Sequence, residues 1–160
     1  MQGDKAIIEL LNAVLTNELT AVNQYYLHAR MYENWGFNRL GRITYDESMG
    51  EMTHADKLIR RVLFLDGLPN LQDLHKLKIG ENVPEGLAAD LALETAGRAT
   101  LVDGIRQCEG AADFVSRQLL REILTDTEAH IDFLETQLSL LTTLGETNYL
   151  QSAAGELGGS

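Results

Sequence analysis

This sequence is poor in the features that build anything other than helices. Two prolines in 160 residues leave few breaks in helical hydrogen bonding. The abundant Leu, Ala, Glu and Gln lose little rotamer freedom in a helix, so an all-α chain is expected. A single cysteine, Cys108, excludes an internal disulfide and fits a reducing compartment, and its place on an apolar stripe suggests a buried, inert thiol. Basic residues are also scarce. Thirteen Lys and Arg against twenty-four Asp and Glu give a formal charge of -11, which repels nucleic acid and anionic membranes and favours cations as partners. No run of about 18 apolar residues occurs, so no membrane-spanning helix is expected. The start, MQGDKAIIELL, has no basic leader before a long apolar stretch, and the expectation is a soluble, unsecreted, cytoplasmic protein. The length suits one domain over 1–160 with its own core.

What is abundant is apolar periodicity at steps of three and four. Ile7, Leu11, Val14, Glu18, Ala21, Tyr25, His28 and Tyr32 predict a helix over about 4–35, closed by Gly36. Leu40, Glu47, Glu51, His54, Leu58, Val62 and Leu65 predict a second over 38–66, stopped by Gly67 and Pro69. Residues 67–83 have no sustained period and are too long for a simple turn, which predicts a crossover. Pro84 suits a first helical turn, and Leu87, Leu91, Glu94, Leu101, Ile105 and Cys108 give a third helix over 84–108. Leu120, Ile123, Thr127, His130, Leu134, Leu138 and Leu141 give a fourth over 111–144. ETNYLQSAA supplies a short fifth over 146–153, and the tail GELGGS is expected to fray. Two helices, a long connection and two more helices describe a four-helix bundle.

Ionisable residues interrupt these stripes at matched depth: Glu18, Glu51 with His54, Glu94, and His130. A lone buried carboxylate costs several kcal/mol, so four helices each turning such a group inward imply a shared cation. In EMTH, Glu51 and His54 are three residues apart, about 60° around a helix, and can close on one metal from one side. Bridging carboxylates with capping imidazoles suit iron or manganese. Dinuclear sites of ferritin-like bundles use single Glu residues from two helices and Glu-x-x-His from the other two. Glu18 and Glu94 fill the single positions and Glu51/His54 one pair. In TDTEAH the second pair is Thr127/His130.

The segments NELTAVNQYYLHARM, EMTHADKLIRRVLFLDGLPNLQDL, DLALE, DFVSRQLLREIL, HIDFLETQLSLL and NYLQS resemble bacterioferritin, the haem-containing ferritin family, over nearly the whole chain. The resemblance implies iron storage in a hollow shell of 24 subunits, with a ferroxidase site in each bundle. It also implies a b-type haem between two subunits, its iron held by the methionine after the second-helix Glu, here Met52 of each. Met52 lies about 100° from Glu51 and about 200° from His54, so it faces outward. In line with it are Tyr45, Ser48, Ala55 and Ile59, and Leu19, Val22, Asn23 and Tyr26 give the first helix a matching face. Small residues beside a soft thioether leave room for a flat macrocycle.

The chain departs from the family at Thr127. Iron-oxidising members carry Glu there, whereas threonine offers a short neutral hydroxyl that cannot bridge two irons. Two ferrous ions bring four positive charges against the three of Glu18, Glu51 and Glu94, so dinuclear binding should be weak. Asp126 is about 40° from His130 around the helix and is a candidate substitute ligand, whereas Glu128 points away. Active members often have His and Asp at Asp46 and Gly50, and Tyr and Trp at Leu58 and Phe133, while Tyr25 is retained. The expectation is a haem-binding storage subunit, impaired alone as a ferroxidase, in a homomeric shell or one shared with a ferroxidase-competent paralogue. An electron-donor ferredoxin is a further partner. The alternatives are an active homomeric ferroxidase completed by Asp126 or water, and a haem-binding or structural assembly that stores no iron.

Overall fold

The computed structural model describes residues 1–158, and among them every regular element is a helix. Helix α1 spans Lys5–Asn34, α2 Asn38–Phe64, α3 Val83–Gly110, α4 Phe114–Leu144 and α5 Glu146–Ala154. A short turn folds α2 back along α1, another folds α4 back along α3, and the two pairs meet mainly through α1 and α3. The short α5 packs on α2 and α4. This is a ferritin-like four-helix bundle with a long α2–α3 crossover. Among the described residues no helix is long and apolar enough to cross a membrane.

The helix ends follow local chemistry. Asp4 caps α1 by accepting from Ala6 N–H, Asn82 caps α3 by accepting from Glu85 N–H, and Asp113 caps α4 by accepting from Ser116 N–H. The α3–α4 turn differs from expectation: α3 runs to Gly110 and α4 begins at Phe114, not near Ala111. Ala112 takes the left-handed conformation at φ 57, with Asp113 N–H bonded to Cys108 C=O and Ala112 N–H to Glu109 C=O. These two bonds close a Schellman turn. At the end of α2 the left-handed residue is Asp66, φ 61, rather than Gly67. Gly67 serves space instead, because a Cβ there would lie 2.7 Å from Ile8 Cγ2.

The stripes read from the sequence are the core. Leu11, Val14, Leu15, Leu58, Val62, Leu101, Leu120 and Ile123 form one apolar cluster. Tyr32, Leu40, Val83, Leu87, Leu134 and Tyr149 form another. Each fully buried Leu or Val stabilises the fold by about 1.5–3 kcal/mol. Between the clusters lies a buried polar layer drawn from all four long helices.

Residues 68–82 lack regular structure and are tied to α1 by a polar stripe on one face. Asn12 donates to Leu68 C=O and accepts from Asn70 N–H. Thr20, Gln24 and His28 accept from the backbone N–H of His75, Lys78 and Gly80. Because His28 Nε2 accepts, its Nδ1 carries the proton donated to Asp90 Oδ1 at 2.9 Å, an oxygen that also takes Gln24 Nε2 at 2.8 Å. Asp90 thus ties the crossover, α1 and α3 together. A Cβ at Gly80 would lie 2.3 Å from Gly86 N, so the chain turning into α3 leaves room only for glycine. Of the tail GELGGS, residues 159–160 lie outside the described residues.

Candidate metal centre

Four helices each place a side chain in the polar layer: Glu18 from α1, Glu51 and His54 from α2, Glu94 from α3, and Thr127 and His130 from α4. All six are buried. The three-residue spacing brings His54 Nδ1 to 3.2 Å from Glu51 Oε2, and it stands 3.5 Å from Glu18 Oε2. Ligand atoms of Glu18, Glu51 and His54 all lie within 4.8 Å of one another. On the far side His130 Nδ1 is 3.5 Å from Glu94 Oε1. Tyr25, fully buried, donates its hydroxyl to Glu94 Oε1 and meets the His130 ring edge-on at 5.2 Å. Phe133 stacks on His130, and Leu58 packs into the apolar core.

Crowded acids without a counterion resist ionising. Burial, then the neighbouring Glu18, pushes Glu51 up to about 8. Burial is also the main cause lifting Glu94 to about 7, with His130 opposing it. Burial alone would lower His54, but the hydrogen-bonding carboxylates of Glu18 and Glu51 win and raise it to about 11. The layer is therefore short of positive charge, and a cation would relieve it. His130 Nδ1 is buried with no hydrogen-bond partner, an orphan atom that faces carboxylates and is free to ligate. Carboxylate oxygens with imidazole nitrogens suit iron or manganese, so these residues fit a metal.

Two acids behave differently from the sequence expectation. Asp126 does not reach toward His130. Its Oδ2 sits 2.8 Å from His54 Nε2, the ring nitrogen opposite the one facing Glu18 and Glu51, and its side chain is 67% exposed. Glu47, a member of the α2 stripe, lies beside the centre. Ligand atoms of Glu47, Glu51 and His130 lie within 4.8 Å of one another. The available signal was its spacing, four residues before Glu51, one turn along the same face. Glu128 points away, as its angle predicted, and pairs with Arg98 at 2.8 Å. Asp46 is exposed, and Gly50 faces open space.

The outward face of α1 and α2 carries Met52, 40% exposed, with Tyr26 also exposed. Tyr26 and Tyr45 lie 6.0 Å apart, and the Arg30 guanidinium sits 4.9 Å from both ring centres. Asn23 is exposed, whereas Leu19 and Val22 are half-buried. Ala55 is an exception to the expected face: it is fully buried in the core cluster, because four residues after Glu51 it lies only about 40° from that inward-facing side chain. Ser48 is likewise buried and donates to Val22 C=O.

The family model of the ferritin-like domain matches residues 8–144. The chain is 50% identical over 151 residues to bacterioferritin of Brucella melitensis, covering 94% of each chain. It is 49% identical over 149 residues to bacterioferritin of Mycobacterium leprae, covering 93% of this chain and 94% of that one. For bacterioferritin of Rhodobacter capsulatus the identity is 45% over 149 residues, covering 93% and 92%.

Proposed function

This chain belongs to the bacterioferritins within the ferritin-like family, and on that premise we propose that it is a cytoplasmic iron-storage subunit whose oxidation centre is altered at Thr127. In the storage reaction, two Fe(II) give two electrons to oxygen or peroxide, and the Fe(III) is laid down as oxyhydroxide inside a 24-subunit shell. Glu18 and Glu51 with His54 supply carboxylate and imidazole on one side of the centre, and Glu94 and His130 supply them on the other. The observation that carries the reading is the buried threonine where the fourth bundle helix would bring a carboxylate. Its neutral hydroxyl cannot join two cations, so two-electron oxidation loses the group that holds both irons in one geometry. Asp126 does not favour the homomeric-ferroxidase alternative, since it occupies the Nε2 side of His54.

Met52, with Tyr26 and Tyr45 on the same outward face, supports a haem between two subunits that would be held by one Met52 from each. Bound there, haem supplies one-electron transfer, the chemistry needed to return stored Fe(III) as Fe(II), with a ferredoxin as donor. A ferroxidase-competent paralogue in the same shell would supply the oxidation that this subunit lacks.

Assembled shells containing a competent bacterioferritin subunit should accumulate mineral when loaded with iron, and purified particles should show a low-spin haem spectrum that Met52→Leu abolishes. Absence of mineral beside the competent partner would favour a non-storing assembly, and a spectrum unchanged in the variant would refute the ligand.

A further inference from the structure

Glu18, Glu51 and Glu94 supply three negative charges, one short of two divalent cations. Glu47, one turn before Glu51 on α2, turns its carboxylate toward the same space, with Oε2 3.8 Å from His130 Nδ1. Ligand atoms of Glu47, Glu51 and His130 lie within mutual reach. An acidic cluster alone would be an ordinary solvated edge, but His130 is not ordinary. It is only 5% exposed, and its Nδ1 has no hydrogen-bond partner, though it points between Glu94 and Glu47. A buried imidazole nitrogen left unpaired among carboxylates is a ligand awaiting a cation.

We propose that Glu47 closes the second metal position in this chain, supplying from α2 the fourth negative charge that Thr127 fails to supply from α4. The inference rests on the reading of the polar layer as a metal centre and deepens it. Glu18, Glu51 and His54 hold one divalent cation, and Glu47, Glu94 and His130 hold the other, with Glu51 between them. Glu47 stands on the rim, its side chain 38% exposed, so it would approach the second cation from the open side. The centre therefore keeps two cation positions while losing one bridge. Binding capacity and oxidation rate, expected to fall together from the sequence, become separable.

The test uses intact shells freed of iron and titrated with Co2+, followed by its visible ligand-field absorption and by calorimetry. The wild-type shell should take up two Co2+ per chain. Glu47→Gln should weaken the second by at least about tenfold and leave the first in place, and adding Thr127→Glu to that variant should restore it. Asp46→Asn, which removes an equal charge from the exposed neighbour, should leave both unchanged. One Co2+ per wild-type chain, or two that are indifferent to Glu47→Gln, would overturn the role of Glu47 while leaving the first position standing. No Co2+ bound at all would overturn the metal-centre reading with it.

Discussion

At the scale of single residues, one substitution and one reassignment define the centre. Thr127 was legible directly, because the spacing that makes Glu51 and His54 a pair makes Thr127 and His130 its altered copy. Side-chain direction was not legible. Helical angles put Asp126 near His130, yet its short carboxylate crosses to His54 on α2. An angle measured on one helix contains nothing about its neighbour. A carboxylate on the distal nitrogen fixes the tautomer and aims Nδ1 at the other acids, the usual support for a metal-bound histidine. Asp126→Asn is therefore expected to lower Mn2+ affinity at the first position by roughly 10- to 100-fold, with Asp126→Glu restoring part of it. Calorimetric titration reads this directly, and unchanged affinity would make Asp126 an ordinary surface acid.

At the scale of elements, periodicity located the four long helices because their buried faces are long and regular. It could not locate the crossover's attachments, since residues 68–82 have no period of their own. Their order is written in α1, where Asn12, Thr20, Gln24 and His28 recur at multiples of four and receive or donate backbone bonds along the loop. His28 looked like part of the core stripe and is buried, but its work is to join Gly80 to Asp90. Gln24 likewise serves two partners. Gln24→Ala leaves Lys78 N–H and one bond to Asp90 unmade, which is expected to cost about 1–3 kcal/mol. Hydrogen exchange should quicken at Lys78 and Gly80 while amides within α2 keep their protection. Uniform loss of protection would instead mean that the stripe supports the whole bundle. The α3–α4 turn was misplaced for a related reason: Gly110 looks like a stop, but the left-handed position fell two residues later on Ala112.

At the scale of the molecule, the two apolar clusters hold the bundle from either end, with the buried polar layer of the proposed metal centre between them. Leu63 and Phe64 at the end of α2 and Phe114 and Val115 at the start of α4 are exposed, near the Arg61–Asp113 pair that joins the two helix ends at 2.8 Å. That apolar surface suits burial between subunits of the proposed shell, as does the outward Met52. Composition indicated only a cation-tolerant helical protein. The site became legible when spacing put ionisable groups from four helices at one depth, and the place of Glu47 beside them became legible only in three dimensions.

In its proposed function this subunit binds iron at an altered centre but does not oxidise it quickly. Rapid mixing of the pure shell with Fe(II) under air, followed by the absorbance of Fe(III), tests it most directly. Slow oxidation is expected in the wild type, and a fast phase, saturating at two irons per chain, in Thr127→Glu. A fast two-iron phase in the wild-type protein would contradict it.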